Sequence, residues 1–160
     1  MAQDMFLKLT GISGEGQDAS HKDEIEVVRW EWSIRQHSSM HSGSGGGTGK
    51  ATVGDLKFDH YMDRSSPNLL KYCLTGKHID TAMLVVRKAG GSPLEYFKIT
   101  MGDVIVTRVT PVLYDSMARP RESVGLSFAR VKQEYVIQNQ QGGSSGTVSA
   151  SFDIQKNREA

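Results

Sequence analysis

Residues 28–35 read VRWEWSIR, and the phase of that octet decides what kind of fold the chain makes. Val28, Trp30, Trp32 and Ile34 alternate with Arg29, Glu31, Ser33 and Arg35. A period of two sends alternate side chains to opposite faces of an extended strand. One predicted strand, Val28 to Arg35, therefore turns Trp30 and Trp32 into a core and its polar residues toward water or a partner. A stacking platform for a sugar or base is the alternative use of two indoles on one face.

The same alternation recurs along the chain. Phe97, Ile99 and Met101 alternate with Tyr96, Lys98 and Thr100, and Val148, Ala150, Phe152 and Ile154 with their polar neighbours. Met83 to Val86 and Val104 to Val109 are apolar on both faces at their centres, as in strands covered on two sides. From Glu122 to Ile137 the chain reads as extended, but its apolar phase changes between Phe128 and Val131. A bulge near Ala129 or Arg130 would produce that change. One helix is predicted, with Ser66 as N-cap, Pro67 at its first position and Gly76 as the left-handed stop. Leu69 with Cys73 and Leu70 with Leu74 give it an apolar stripe that must dock. Many strands and one short helix point to a mainly β chain, a closed or sandwiched sheet with the helix outside, in a single domain over residues 1–160.

Composition removes several function classes. With 19 Lys and Arg against 18 Asp and Glu, the chain lacks the basic excess that a nucleic-acid surface needs. Cys73, the single cysteine, leaves no internal disulfide. No apolar run approaches the roughly 20 residues that cross a bilayer, so no stable membrane insertion is expected. The start, MAQDMFLKLT, has no pattern of a cleaved signal, which predicts folding in the cytoplasm.

Candidate chemistry is thin. SGSGGGTGK, residues 42–50, imitates a phosphate-binding loop, but Ser44 stands where its first Gly is needed and Ala51 where a metal-binding hydroxyl is needed. His37 and His41 lie before this loop without a third ligand, and a small metalloenzyme built on them is remote. His21, His60 and His78 sit in polar or turn-like contexts and read as surface or capping residues. Cys73 reads as a small buried thiol, Ser144-Ser145 as a hairpin tip, and Asp23, Glu24 and Glu26 as a solvated approach to the tryptophan strand. No catalytic group, cofactor site or metal site follows, and no enzyme is expected.

The order of motifs resembles one family. MFLKLTGISGEGQDASHKDEIEVVRWEWSI, SSPNLLKYCLTGKHIDTAMLVVRKAGG, EYFKITMGDVIVTRV and ESVGLSFARVKQEY are similar to the hemolysin-coregulated protein (Hcp) family of bacterial type VI secretion, in order from Met5 to about Tyr135. Gly16 and the loop DSMARPRES, Asp115 to Ser123, depart from the family's usual pattern.

The resemblance implies a β-barrel of two antiparallel sheets with one flanking helix. It implies a homohexameric ring, with rings stacked into the inner tube of a contractile device and meeting sheath and tip spike proteins. Such a tube is secreted without a cleaved signal and carries small effector toxins in its lumen. On this reading Arg29, Glu31 and Ser33 are candidates for lining the lumen. Gly43, Ser44, Gly45, Gly46, Gly47, Thr48 and Gly49 are candidates for a projecting loop that contacts the next ring, and Trp30 and Trp32 are core. A monomeric β-sandwich that binds sugar or lipid through the tryptophan face is the alternative function.

Overall fold

Two long antiparallel strands form the spine of the molecule, Glu95–Val112 (β8) and Arg121–Gln138 (β9). They belong to a computed structural model that describes residues 3–42, 49–88 and 93–160. Ahead of them come Gln3–Leu9 (β1), Ile25–Glu26 (β2), Arg29–Glu31 (β3), Ile34–Arg35 (β4), Thr52–Val53 (β5), Leu56–Tyr61 (β6), the helix Ser66–Thr75 (α1) and Ile79–Lys88 (β7). Ser144–Asp153 (β10) and Arg158–Glu159 (β11) follow.

Among the described residues nine strands share one antiparallel sheet, in the order β11-β10-β9-β8-β7-β1-β2, with β6 added to β9 and β3 to β6. The sheet curls into a barrel because residues 25–31 change partner midway. Ile25 and Glu26 pair with β1, Val27 N–H donates to Met5, Val28 N–H then donates to Asp59, and β3 pairs with β6. The circuit is thus bridged at Val27 and Val28 instead of being closed by a continuous ladder. β4 and β5 form a separate two-stranded sheet.

The strand expected over Val28 to Arg35 is therefore two pieces. It breaks at Trp32 and Ser33, where Gly54 N–H donates to the Ser33 carbonyl at 2.9 Å and the Trp32 indole donates to the Gly54 carbonyl at 2.9 Å. A Cβ on Gly54 would stand 2.9 Å from the Ser33 oxygen, so the close approach requires glycine.

The phase change in β9 has a different cause from the expected bulge. Phe128 and Arg130 stay in step with Val104 and Gly102 across β8. What changes is the neighbour on the other edge, β6 along Arg121 to Leu126 and β10 from Arg130 onward. Phe128 and Ala129 are both buried at that crossing, where Ile154 N–H caps the Ala129 carbonyl. The extra residue lies on β8, in the register shift between Val106 and Arg108.

Alternation places Leu7, Leu56, Phe58, Leu84, Ile99 and Met101 inside the barrel, all essentially inaccessible. Helix α1 starts one residue earlier than expected. Ser65 is its cap, the buried Ser66 is already helical, and Gly76 ends it with φ 67°. Only part of the apolar stripe docks. Leu69 is fully buried and Cys73 half-buried, whereas Leu70 and Leu74 are exposed, because one helix on a barrel wall covers a single narrow face. Leu74→Ala is therefore expected to move the unfolding free energy by no more than roughly 0.5 kcal/mol, read from the denaturant midpoint.

Candidate functional site

On the outer face of β3, β6, β9 and β8, sheet register aligns two polar rows. One runs Arg29, Asp59, Ser123, Thr110, and the next but one runs Glu31, Lys57, Gly125, Arg108. The row between them, Trp30, Phe58, Val124 and Val109, points the other way. Trp30 stacks on Phe97 with centroids 5.7 Å apart, and Trp32 tilts against Phe128. Both indoles pack on the core while remaining partly accessible.

Asp59 organises the polar face. Its Oδ2 lies 3.4 Å from Arg29 Nη1 and 3.3 Å from Arg121 Nη2, and Ser123 Oγ donates to its Oδ1 at 2.5 Å. Arg29 reaches Glu31 as well, at 3.4 Å. The side chains of Arg29 and Glu31 are 57% and 59% exposed, so the ion pairs sit in water and contribute little stability. They set instead a fixed pattern of mixed charge. Beside it lies a cleft of about 300 Å³ lined by Asp59, Thr110, Val112, Tyr114, Met117 and Arg121. Its rim, the 113–120 stretch, is tied down by Met62 N–H donating to Pro120 at 3.0 Å and by the Arg119 guanidinium 4.4 Å from the Tyr61 ring centroid.

Ser33 is exposed beyond the end of β3 and lines a cleft together with Glu31, Gly54 and Lys57. The β4–β5 arm extends past it, and Gly49 N–H donates to His37 at 3.3 Å. Gly49 is exposed; Gly43, Ser44, Gly45, Gly46, Gly47 and Thr48 lie outside the described residues. His37 and His41 are exposed on the approach to them. Among the described residues, no three His, Cys, Asp or Glu side chains gather as a metal site.

Two histidines expected at the surface are interior. His60 is fully buried and pairs through Nε2 with Glu122 at 2.8 Å. His21 lies between Glu24 at 2.9 Å and Glu95 at 2.6 Å, and stacks on Phe6. Glu24 is thereby a half-buried partner and not a solvated carboxylate. His78 is exposed, as the sequence suggested, and pairs with Asp103. Sequence reasoning also missed Asp59, Lys57, Arg108 and Arg121 on the polar face. Alternation in LKFDHY would have turned Lys57 and Asp59 outward, but only strand pairing sets them beside Arg29 and Glu31.

Mutation separates the inward and outward side chains of residues 29–32. Trp32→Ala removes a half-buried indole and its hydrogen bond to Gly54, an expected cost of about 2 kcal/mol, below that of a fully buried aromatic. Glu31→Arg is expected to leave the denaturation midpoint nearly unchanged. A larger destabilisation from Glu31→Arg than from Trp32→Ala would reverse the assignment of inside and outside.

Comparison with known proteins relates the chain to one family. The family described as "Type VI secretion system effector, Hcp" matches residues 6–135. Protein hcp1 of Pseudomonas aeruginosa is 42% identical over 162 residues, covering 100% of both chains. The crystal structure of Hcp1 from Salmonella typhimurium is 53% identical, superposes with a TM-score of 0.83 and covers 100% of both chains. A type VI secretion system effector from Yersinia pestis is 44% identical with a TM-score of 0.79, over 94% of this chain and 100% of that one.

Proposed function

The chain belongs to the Hcp family of type VI secretion proteins, and from that premise we propose that it is a structural tube subunit whose mixed-charge face lines a shared channel. Copies associate head to tail into a homohexameric ring, since heterologous contacts close into rings when the rotation allows. Rings stack into an inner tube within a contractile sheath, behind a tip spike. The tube is assembled in the cytoplasm and leaves the cell when the device fires. The chain acts by assembly and not by catalysis.

The observation that carries this reading is the division of β3, with Trp30 against the core and Arg29 and Glu31 held outward beside Asp59. Symmetry repeats that pattern around the channel, so Arg29, Glu31 and Ser33 would select small effector toxins by charge and hydrogen bonding. Glycines of the 43–49 loop allow backbone to approach a neighbouring ring closely.

Light scattering of the purified protein is expected to report about six protomers. Deleting residues 43–49 is expected to abolish end-to-end stacking, seen by electron microscopy, while the ring persists. A monomer at micromolar concentration would count against the tube and favour a lone binding module.

A further inference from the structure

Charge on the outer polar face is not evenly matched. Arg29 and Arg121 both lie against Asp59, and Arg29 also meets Glu31. Asp55 accepts a hydrogen bond from Thr107 at 2.6 Å. Lys57 and Arg108 are what remains. Both are exposed, and among the described residues neither forms an ion pair. Arg108 Nε donates to Thr110 Oγ1 at 3.0 Å, which steadies the guanidinium without neutralising it.

The sheet sets these two cations as a pair. Gly125 of β9 faces Lys57 on one side and Arg108 on the other, so their backbones stand two strand spacings apart, about 10 Å. The irregular step between Val106 and Arg108 falls at the same place, and Thr107 and Arg108 are both exposed there. A Cβ at Gly125 would stand 3.0 Å from Thr107 Oγ1 and 3.3 Å from Arg108 Cβ. Glycine therefore leaves a notch with a cation on either flank. A carboxylate entering it can be met by both long side chains through charge-assisted hydrogen bonds.

The whole chain carries a formal net charge of only +1, so a preference for anions would come from this pair and not from overall charge. Glu31 and Asp55 border Lys57 in the adjoining cleft and interrupt the positive surface. A continuous phosphate backbone is held by many cations along its track. Separate notches among carboxylates instead suit a polypeptide that bears acidic side chains at intervals.

We infer that Lys57 and Arg108, on either side of Gly125, form an anion-reading pair, and that the cargo this face takes is acidic polypeptide seated by its Asp and Glu side chains. The inference rests on the tube reading, in which symmetry repeats the notch around one lumen.

Fluorescence anisotropy with labelled oligoglutamate, oligolysine and oligothymidylate tests it, on protein whose assembly light scattering has established. Oligoglutamate is expected to bind at least about tenfold more tightly than oligolysine, and less tightly as salt is raised. Lys57→Gln with Arg108→Gln should abolish that preference, and Lys57→Glu with Arg108→Glu should reverse it, both at parental mass. Lys71→Gln, on α1, should bind as the parent does. Equal or tighter binding of oligolysine by the parent overturns the inference, as does oligoglutamate binding that survives the double Gln variant. Tighter binding of oligothymidylate, lost in the same variant, would make the pair a nucleic-acid contact and overturn it too. In all these outcomes an assembled parent leaves the tube reading standing. A parent that never assembles overturns both. Should the double variants fail to assemble, the order of the three probes on the parent and on Lys57→Gln alone still decides.

Discussion

Glu122→Ala is expected to destabilise the subunit by about 3 kcal/mol, the upper range for a buried hydrogen-bonding group left without its partner. His60 is fully inaccessible and Glu122 nearly so, and their 2.8 Å contact joins β6 to β9 beneath the start of α1. Truncation strands the imidazole, whose Nδ1 already has no hydrogen-bond partner and stands 4.0 Å from Asp63. Burial pushes the Glu122 carboxyl up, but hydrogen bonds from His60 and Ser66 and the attraction of the His60 ring outweigh it, leaving it below its ordinary value. A depressed carboxylate contributes stability above its unfolded-state value and loses that contribution as acid protonates it in the fold. Glu122→Ala should therefore flatten the fall of stability with acid as well as lower the plateau. Denaturant titration at fixed protomer concentration checks both, since assembly shifts apparent stability. A loss under about 1 kcal/mol would show that the pair is not a structural tie. Replacing both residues with apolar side chains of similar volume should recover much of the loss.

Arg87→Ala is the second large effect, an expected loss of about 3 kcal/mol. Arg87, on β7, is largely buried and binds Asp4 of β1 at 3.0 Å and both oxygens of Asp18 at 3.0 and 2.5 Å. Its guanidinium also lies 5.1 Å from the centre of the Phe6 ring, which stacks on His21. One side chain thus fastens the segment before β2 to the barrel wall. The hydrogen bonds from Arg87, then that from Ser20 N–H, hold the Asp18 carboxyl down at about 2 against an ordinary 3.8. The sign follows directly: the tether is intact above pH 3.8 and is lost as pH falls toward 2. Amide exchange at Asp18 to Asp23 should accelerate over that acid window in the parent protein. In Arg87→Ala it should be fast at every pH. Arg87→Lys is expected to recover only part of the protection, because an ammonium cannot make the paired contacts to Asp18. Equal protection in the Lys variant would refute the paired-contact account.

Period-two alternation, the helix stop at Gly76 and the order of motifs were legible without coordinates, because each depends on residues close in the chain. They determined a mainly β fold, the inward set Phe97, Ile99 and Met101, and the secretion family. The candidate face was legible only in part. Arg29, Glu31 and Ser33 could be turned outward by phase, yet Asp59, which binds Arg29 and Arg121, enters only through pairing of β3 with β6 and of β6 with β9. Tertiary structure alone decided the rest. His60 and Glu122 are 62 residues apart, and His21 and Glu95 are 74 apart, so no local pattern distinguishes these buried histidines from surface ones. Likewise, Leu69 and Leu70 look alike in an apolar stripe, but only one faces the barrel wall. The physical reason is common to all of them. Local phase fixes which way a side chain points relative to its own strand or helix, whereas burial depends on what another part of the chain brings to that side.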